Sequence, residues 1–312
     1  MFRAARQNTG NSGSGEWKPE PNDLFEKSFC RQAAGVIGFD MPELAEVDFF
    51  RKQWNPGLRK QVQTVKLIAK SRVLRDTNAK VLKEMLEGGS LLSSASKGKQ
   101  MLFGFSGGAI PAGSSAWLGV HLGMAGKLRY VEGVYSPEKH DHLVLDISGG
   151  ALVYTDTRHF GKLLFEVGKR EPEYWLKLAP EILSSDFTKG ELVSFLLRRK
   201  KSPIKGVLLM QERFPGVGNW MADEILWRAE IHPARLAGSL TESEVSRLFK
   251  ETRFVCRGAM KTVGETYEDP PKTWLFQHRW KDGGICPKTK EPLVRETIAG
   301  RTTCYSPSRQ PL

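Results

Sequence analysis

The chain has 312 residues, 40% of them hydrophobic, and carries a formal net charge of +12. At about 150 residues per domain this length implies two domains, and no apolar run approaches the roughly 20 residues that span a bilayer, which argues for a soluble protein with no membrane partner. The excess of cations points to a polyanionic partner, most commonly nucleic acid, and four scattered cysteines (Cys30, Cys256, Cys286, Cys304) form no disulfide framework and fit a reducing compartment.

Residues 1–40 contain RQNTGNSGSGEWKPEPND, rich in Gly, Ser, Asn and Pro. Such a stretch buries too little apolar surface to offset its ordering entropy, and reads as a disordered extension or a mispredicted start. An organellar transit peptide is the weaker alternative, because acidic residues begin at Glu16. Met41-Pro-Glu-Leu then reads like a second beginning, followed by a short amphipathic helix with Leu44, Val47, Phe49 and Phe50 apolar.

Short β-branched and aromatic stretches come next: QVQTVKLIA, SLLSSASKGKQMLFGF, AWLGVHLGM, KLRYV, DHLVLDI, GALVYTD and KLLFEV. Gly, Ser and Asp turns separate them, which predicts a sandwich over residues 41–172. The texture changes near Pro172. EYWLKLAPEIL, KGELVSFLLRRK, SPIKGVLLMQERF, NWMADEILWRAEI and ESEVSRLFKETRFVCRGAMKTV have helical spacing. They predict a helical domain over 175–266, with Thr188 and Glu191 placed as a capping box. The tail, 274–312, returns to strand and turn, with a hairpin expected around Ala299-Gly300. The fold class is therefore α+β and multidomain.

Taken singly, the motifs are ordinary. GVGN, Gly216–Asn219, opens a helix; it can be a plain turn with Asn219 as the cap, or a phosphate site at a helix N-terminus. Met124, Arg158 and Phe160 sit near Gly-flanked loop tips in HLGMAGKLRY and YTDTRHFGKLLF. They read either as core residues with a solvated arginine, or as a set suited to insertion into a base stack.

In combination the motifs are specific. MPELAEVD, SKGKQMLF, HLGMAGKL, KHDHLVLD, YTDTRHFGK, SPIKGVLLMQ, PGVGNWMADEILWRAEIHPAR and GRTTCYSPSRQ occur in one order. From Met41 to Gln310 the chain resembles the formamidopyrimidine-DNA glycosylase/endonuclease VIII family of base-excision repair enzymes, and Pro-Glu-Leu is closer to the formamidopyrimidine branch. The resemblance implies a β-sandwich, a helix–two-turn–helix domain and a C-terminal finger. It implies a bifunctional DNA glycosylase and AP lyase that removes oxidised bases from damaged double-stranded DNA as a monomer. Its location would be cytoplasmic and nucleoid-associated, or nuclear or organellar in a eukaryote.

The resemblance makes Pro42 the nucleophile, acting through a Schiff base on its secondary amine. A free α-amino group has a pKa near 8 and is partly neutral at pH 7, whereas a proline nitrogen inside a peptide bond is a planar amide without that reactivity. Removal of everything before Pro42 is therefore expected; if residues 1–40 stay, the chain becomes a non-catalytic binder of damaged or abasic DNA. Glu43 takes the acid/base role, with Glu46 second. Lys99, rather than its neighbour Lys97, is the strand lysine near the lesion phosphates, and Lys205 is a helical-domain lysine facing the lesion. Asn219 and Arg301 clamp phosphates, while Met124, Arg158 and Phe160 fill the void left by the extruded nucleotide.

Four departures qualify the resemblance. The family's finger holds zinc on two C-x-x-C pairs. Here only Cys286 remains of the four, with Thr289, Ser306 and Arg309 at the other positions and Cys304 two residues early. A zincless finger with no metal or other cofactor is expected. Ala45 replaces a usual proline, and His159 a usual second arginine. The segment TVGETYEDPPKTWLF looks shorter than the family's lesion-capping loop, which leaves oxidised pyrimidines as open as oxidised purines.

Overall fold

The computed structural model describes residues 41–68 and 71–312. The expected extension over residues 1–40, and Cys30 with it, lies outside the described residues. Helix α1 (Leu44–Lys52) opens the described chain, and every residue from Leu44 to Phe50 is buried. It is buried all round because it lies between two units. Phe49 and Phe50 set their rings 4.5 and 5.6 Å from Tyr267 of the helical region. From the same helix, Arg51 donates to Ser94 Oγ of the sandwich at 2.8 Å.

The sandwich consists of two antiparallel four-stranded sheets. One has the order β1 (Val62–Leu67), β6 (Asp141–Ile147), β7 (Gly150–Asp156), β5 (Gly126–Glu132). The other has the order β2 (Ser90–Lys97), β3 (Gln100–Ser106), β4 (Ser115–His121), β8 (Lys162–Gly168). The central strand β3 is buried from Met101 to Phe105, as a strand covered on both faces must be. Register decides where the turns fall. Gln100 pairs with His121, His121 with Lys162, and Gly126 with Asp156. The turns at 98–99, 122–125 and 157–161 therefore gather at one end.

One helix was not anticipated from the sequence. Ala79–Leu86 forms α2, capped by Asn78, whose side chain accepts from Lys80 N and Val81 N. Val81, Leu82, Met85 and Leu86 fall on one face at helical spacing, and Leu82 and Leu86 are buried.

The helical region holds α3 (Glu173–Leu176), α4 (Lys189–Arg198), α5 (Ile204–Leu208), α6 (Asn219–Ala229), α7 (Glu242–Lys261) and α8 (Val263–Thr266). EYWLKLAPEIL yields a single turn, since Pro180 cannot continue a helix. Thr188 caps α4 by accepting Glu191 N at 3.2 Å, but the Glu191 carboxylate accepts from Arg213 Nη1 at 2.7 Å. The complete capping box lies at Thr241 and Glu244 on α7. The expected hairpin is present as β9 (Val294–Ile298) and β10 (Arg301–Tyr305). Ala299 and Gly300 turn it with φ of 52° and 72°, the left-handed pair that a two-residue hairpin loop needs.

Candidate functional site

Helix α6 has no cap of its own sequence. Gly218 occupies the cap position, and the expected capping role of Asn219 is not realised, because Asn219 is the first helical residue. Glu43 supplies the cap from the far end of the chain. Its carboxylate accepts from Gly218 N at 2.9 Å, Trp220 N at 2.9 Å and Met221 N at 3.1 Å. A β-carbon at Gly218 would stand 2.3 Å from Glu43 Cδ, so only glycine admits this approach. Glu43 is 1% exposed. Burial pushes its carboxyl up to about 8; Lys99 pulls it down, Glu46 raises it, and the Trp220 and Met221 N–H groups lower it. A carboxyl so placed holds a proton near neutrality, the state a general acid needs.

Pro42, directly before it, borders a cavity of about 50 Å³ with Glu46, Met124, Trp220, Tyr267 and Phe276. Glu46 accepts from Trp220 Nε1 at 3.2 Å. Beside it lies a larger cavity of about 480 Å³, bordered by Lys97, Lys99, His121, Met124, Asn219 and Arg301. Met41 and Met124 line both, so the two cavities adjoin. The larger one joins three elements, the Gly98–Lys99 turn, the start of α6 at Asn219 and the tip of the hairpin, and Lys97, Lys99 and Arg301 make it a cationic place. Lys97 stacks on Trp175, 5.0 Å from the ring centroid.

Two loops of the sandwich meet beside this mouth. Gly123 has a φ of 63°, and a β-carbon there would stand 2.5 Å from the Phe160 carbonyl carbon. The Met124 turn and the Phe160 turn therefore touch backbone to backbone. Asp156, fully buried, braces the second turn by accepting from Arg158 N at 3.0 Å and Gly161 N at 2.7 Å. Arg158 lies over the Phe160 ring at 5.0 Å, and Phe160 is 46% exposed. An exposed aromatic ring carrying a guanidinium on a braced turn is suited to enter a base stack.

Lys205 must be reassigned. It is 0% exposed, so it cannot face DNA as expected. Its ammonium donates to Asn219 O at 2.8 Å and forms an ion pair with Asp223. Burial pushes its pKa down, and Asp223 opposes the shift. Asp223 also accepts from Arg279 Nε and Nη2, at 3.1 and 2.7 Å, and from Cys304 N at 3.1 Å. This one carboxylate joins α5, α6, the 275–279 turn and the hairpin. Asn219 Nδ2 adds a bond to Thr302 O at 2.9 Å. These bonds fix Arg301 beside the start of α6.

The finger does not fit a four-thiolate zinc site. Cys286 and Cys304 are buried with Trp227, Leu275 and Leu293. Where a second cysteine pair would sit, Ser306 N donates to Gln310 Oε1 at 3.0 Å, Arg309 Nε to Trp227 O at 2.9 Å and Gln310 Nε2 to Ile231 O at 2.9 Å. Packing and hydrogen bonds bind the finger to the end of α6. Burial opposes ionisation of Cys286, but hydrogen bonds from Thr289, Trp227 and Lys288 outweigh it and bring the thiol to about 7.

Pro42, Lys99, Met124, Asn219 and Arg301 thus border two adjoining cavities, with Glu43 buried next in sequence to Pro42 and clamped to the start of α6, Arg158 and Phe160 on a turn touching that of Met124, and Lys205 inside. Sequence reasoning missed three residues. His121 borders the larger cavity, and burial and then Lys99 push its pKa down. Asp223 and Arg279 form the buried hub. The position of Asp223, one helical turn past Asn219, was the available signal.

Comparison with known proteins gives a consistent result. A sequence profile of the formamidopyrimidine-DNA glycosylase N-terminal domain matches residues 41–163. A profile of that enzyme's H2TH domain matches residues 178–270. The formamidopyrimidine-DNA glycosylase of Psychromonas ingrahamii is 35% identical over 285 residues, covering 86% of this chain and 100% of that protein. The Thermus thermophilus enzyme is 34% identical, with 86% and 98% covered. Among solved structures, the Lactococcus lactis enzyme with abasic-site DNA superposes at a TM-score of 0.75 and 27% identity, covering 86% of this chain and 100% of that one. The same enzyme with DNA containing an oxidised pyrimidine gives 0.74 and 28%, covering 87% and 100%.

Proposed function

The chain belongs to the formamidopyrimidine-DNA glycosylase family and is a base-excision-repair DNA glycosylase, strand cleavage at abasic sites being part of the family's function; on that premise we propose the part each of its residues takes. In a chain beginning at Pro42, the secondary amine attacks C1′ of the damaged nucleotide and the base departs. The sugar ring opens to an iminium on the proline nitrogen, and elimination cuts the backbone. Glu43 gives its proton to the ring oxygen. The observation that carries this reading is the Glu43 clamp: the residue after the nucleophile is fastened by three N–H groups to the helix that borders the larger cavity. Nucleophile, acid and anion site therefore share one frame.

Lys99, His121, Asn219 and Arg301 hold phosphates around the larger cavity. Met124, Arg158 and Phe160 occupy the space of the extruded nucleotide. Lys205 acts indirectly, by setting Asn219 and Asp223. The substrate is damaged duplex DNA, bound by a monomer. The residues present call for no zinc or other cofactor. The place of action is the cytoplasm and nucleoid, or the nucleus or an organelle in a eukaryote. Borohydride reduction on abasic duplex tests the reading. A chain starting at Pro42 forms a covalent complex, and Pro42→Gly lowers the yield sharply; full trapping by the variant would refute the assignment.

The chemistry of the proline nitrogen defines a second state. In the sequence given, Met41 precedes Pro42, which makes its nitrogen an amide. We propose that a protein that keeps residues 1–40 is a binder of damaged or abasic DNA that leaves the strand intact.

A further inference from the structure

Beyond the cleft, and resting on its reading as a DNA track, a second basic surface has no role so far. Arg198 ends α4, and Arg199, Lys200 and Lys201 follow in the next turn, all four exposed. Backbone bonds hold this turn: Ser202 N to Arg199 O at 2.8 Å, Gly238 N to Lys200 O at 3.1 Å and Ala237 N to Ser202 O at 2.9 Å. Arg198 and Arg199 lie over the Phe195 ring at 5.5 and 5.6 Å. Glu212 engages Arg199 at 2.6 Å, and Glu191 engages Arg213 at 2.7 Å. Arg198, Lys200 and Lys201 remain as the outward cations of a pinned turn.

Position gives them a meaning. A cavity of about 370 Å³ opens under this turn, bordered by Pro180, Arg198, Arg199, Glu212 and Arg213. The large cavity of the proposed site is bordered by Leu178, Ala179, Leu209 and Gln211. Two short stretches, 178–180 and 209–213, therefore form a shared wall with one cavity on each side. A charged strand leaving the cleft over that wall meets the α4 turn next. Consecutive phosphates of one strand present a charge about every 3.4 Å of axis, a spacing that side chains of adjacent residues can follow.

We propose that Arg198, Lys200 and Lys201 form an outer subsite for the DNA backbone, taking one or two phosphates beyond the cleft on the side of the 178–180 wall. The contact is to phosphate alone, so it adds affinity without choosing the lesion.

The test is the salt dependence of binding on lesion duplexes shortened one base pair at a time from one end, then from the other. For one end only, the wild-type slope of log K against log salt drops by about 1–2 once the duplex no longer reaches the turn. The triple variant Arg198→Ser, Lys200→Ser, Lys201→Ser lacks that step and matches the wild type on the shortest duplex. A wild type without a step, a step that survives in the variant, or an equal loss at every length would overturn the proposal while leaving the cleft assignment intact. Absence of salt-dependent binding to any duplex would sink both.

Discussion

Two buried carboxylates meet helix α6, Glu43 against its N-terminus and Asp223 within its first turns, and their surroundings differ. Glu43 meets the N-terminus of α6 with neutral backbone N–H groups as its direct donors, while Lys99 acts on it through space. Asp223, one turn further on, is paired directly with two cations, Lys205 and Arg279. Burial drives a carboxyl's pKa up, for Glu43 and also for Glu224, which is raised to about 7 although Arg228 donates to it at 2.7 Å; Asp223 differs in that two cations meet it directly. The first arrangement keeps a proton at the site of chemistry. The second keeps a joint rigid. A helix can thus seat a reactive group against its end and carry a structural one in its first turns, the difference lying in what faces each carboxylate.

The sharpest way to break this contrast is Glu43→Gln. Losing general acid catalysis should lower base excision by about 10²–10⁴-fold, measured by single-turnover product formation, with DNA affinity nearly unchanged. The pH profile sharpens it further. Because Glu43 is raised from 4.5 to about 8, wild-type turnover should fall as pH rises through about 8, and the variant should lack that limb. Stability follows the same sign. The folded state holds the proton more tightly, so the contribution of Glu43 is full below the ordinary carboxylate range and is lost as pH climbs through about 8. Chemical denaturation of wild type against Glu43→Gln should show the wild type losing ground across that window.

Asp223→Ala attacks the other carboxylate. It leaves Lys205 and Arg279 buried without their shared partner, which costs about 3–5 kcal/mol in stability, read by urea denaturation. An effect on turnover without one on stability would reverse the two roles. A smaller effect is expected from Gly123→Ala, which strains a left-handed position and separates the two wedge turns. The strain is of order 1–3 kcal/mol, and lesion-DNA affinity should fall while borohydride trapping at saturation persists. The smallest effect concerns the finger. A chelator should leave DNA binding unaltered, and Cys286→Ser should cost about 1 kcal/mol, the centre of the range for single substitutions. A chelator-induced loss of binding would mean that the finger holds a metal after all.

The strands and the hairpin were legible because each carries a local signal, alternation or a turn dipeptide, whereas the candidate site residues were legible only through their register in the family's motifs. The sequence concealed whatever depends on distant partners. Asn219 looked like a cap because Glu43, 176 positions away, could not be placed beside it. Lys205 looked like a surface cation because lysine is rarely buried, and only the Asp223 hub makes that burial tolerable. The α2 helix carried a legible signal, Val81, Leu82, Met85 and Leu86 at helical spacing, and escaped only because it lies between strands. Glu191 looked like half of a capping box until Arg213 was seen to claim it.

The central claim is that the amine of Pro42 is the nucleophile. It is tested most directly by reducing the complex with abasic duplex, digesting it, and locating the sugar adduct by mass spectrometry. The account predicts the adduct on the peptide that begins with Pro42, at its α-nitrogen. An adduct on a lysine such as Lys99, or efficient strand cleavage by a chain that still carries Met41, would contradict it.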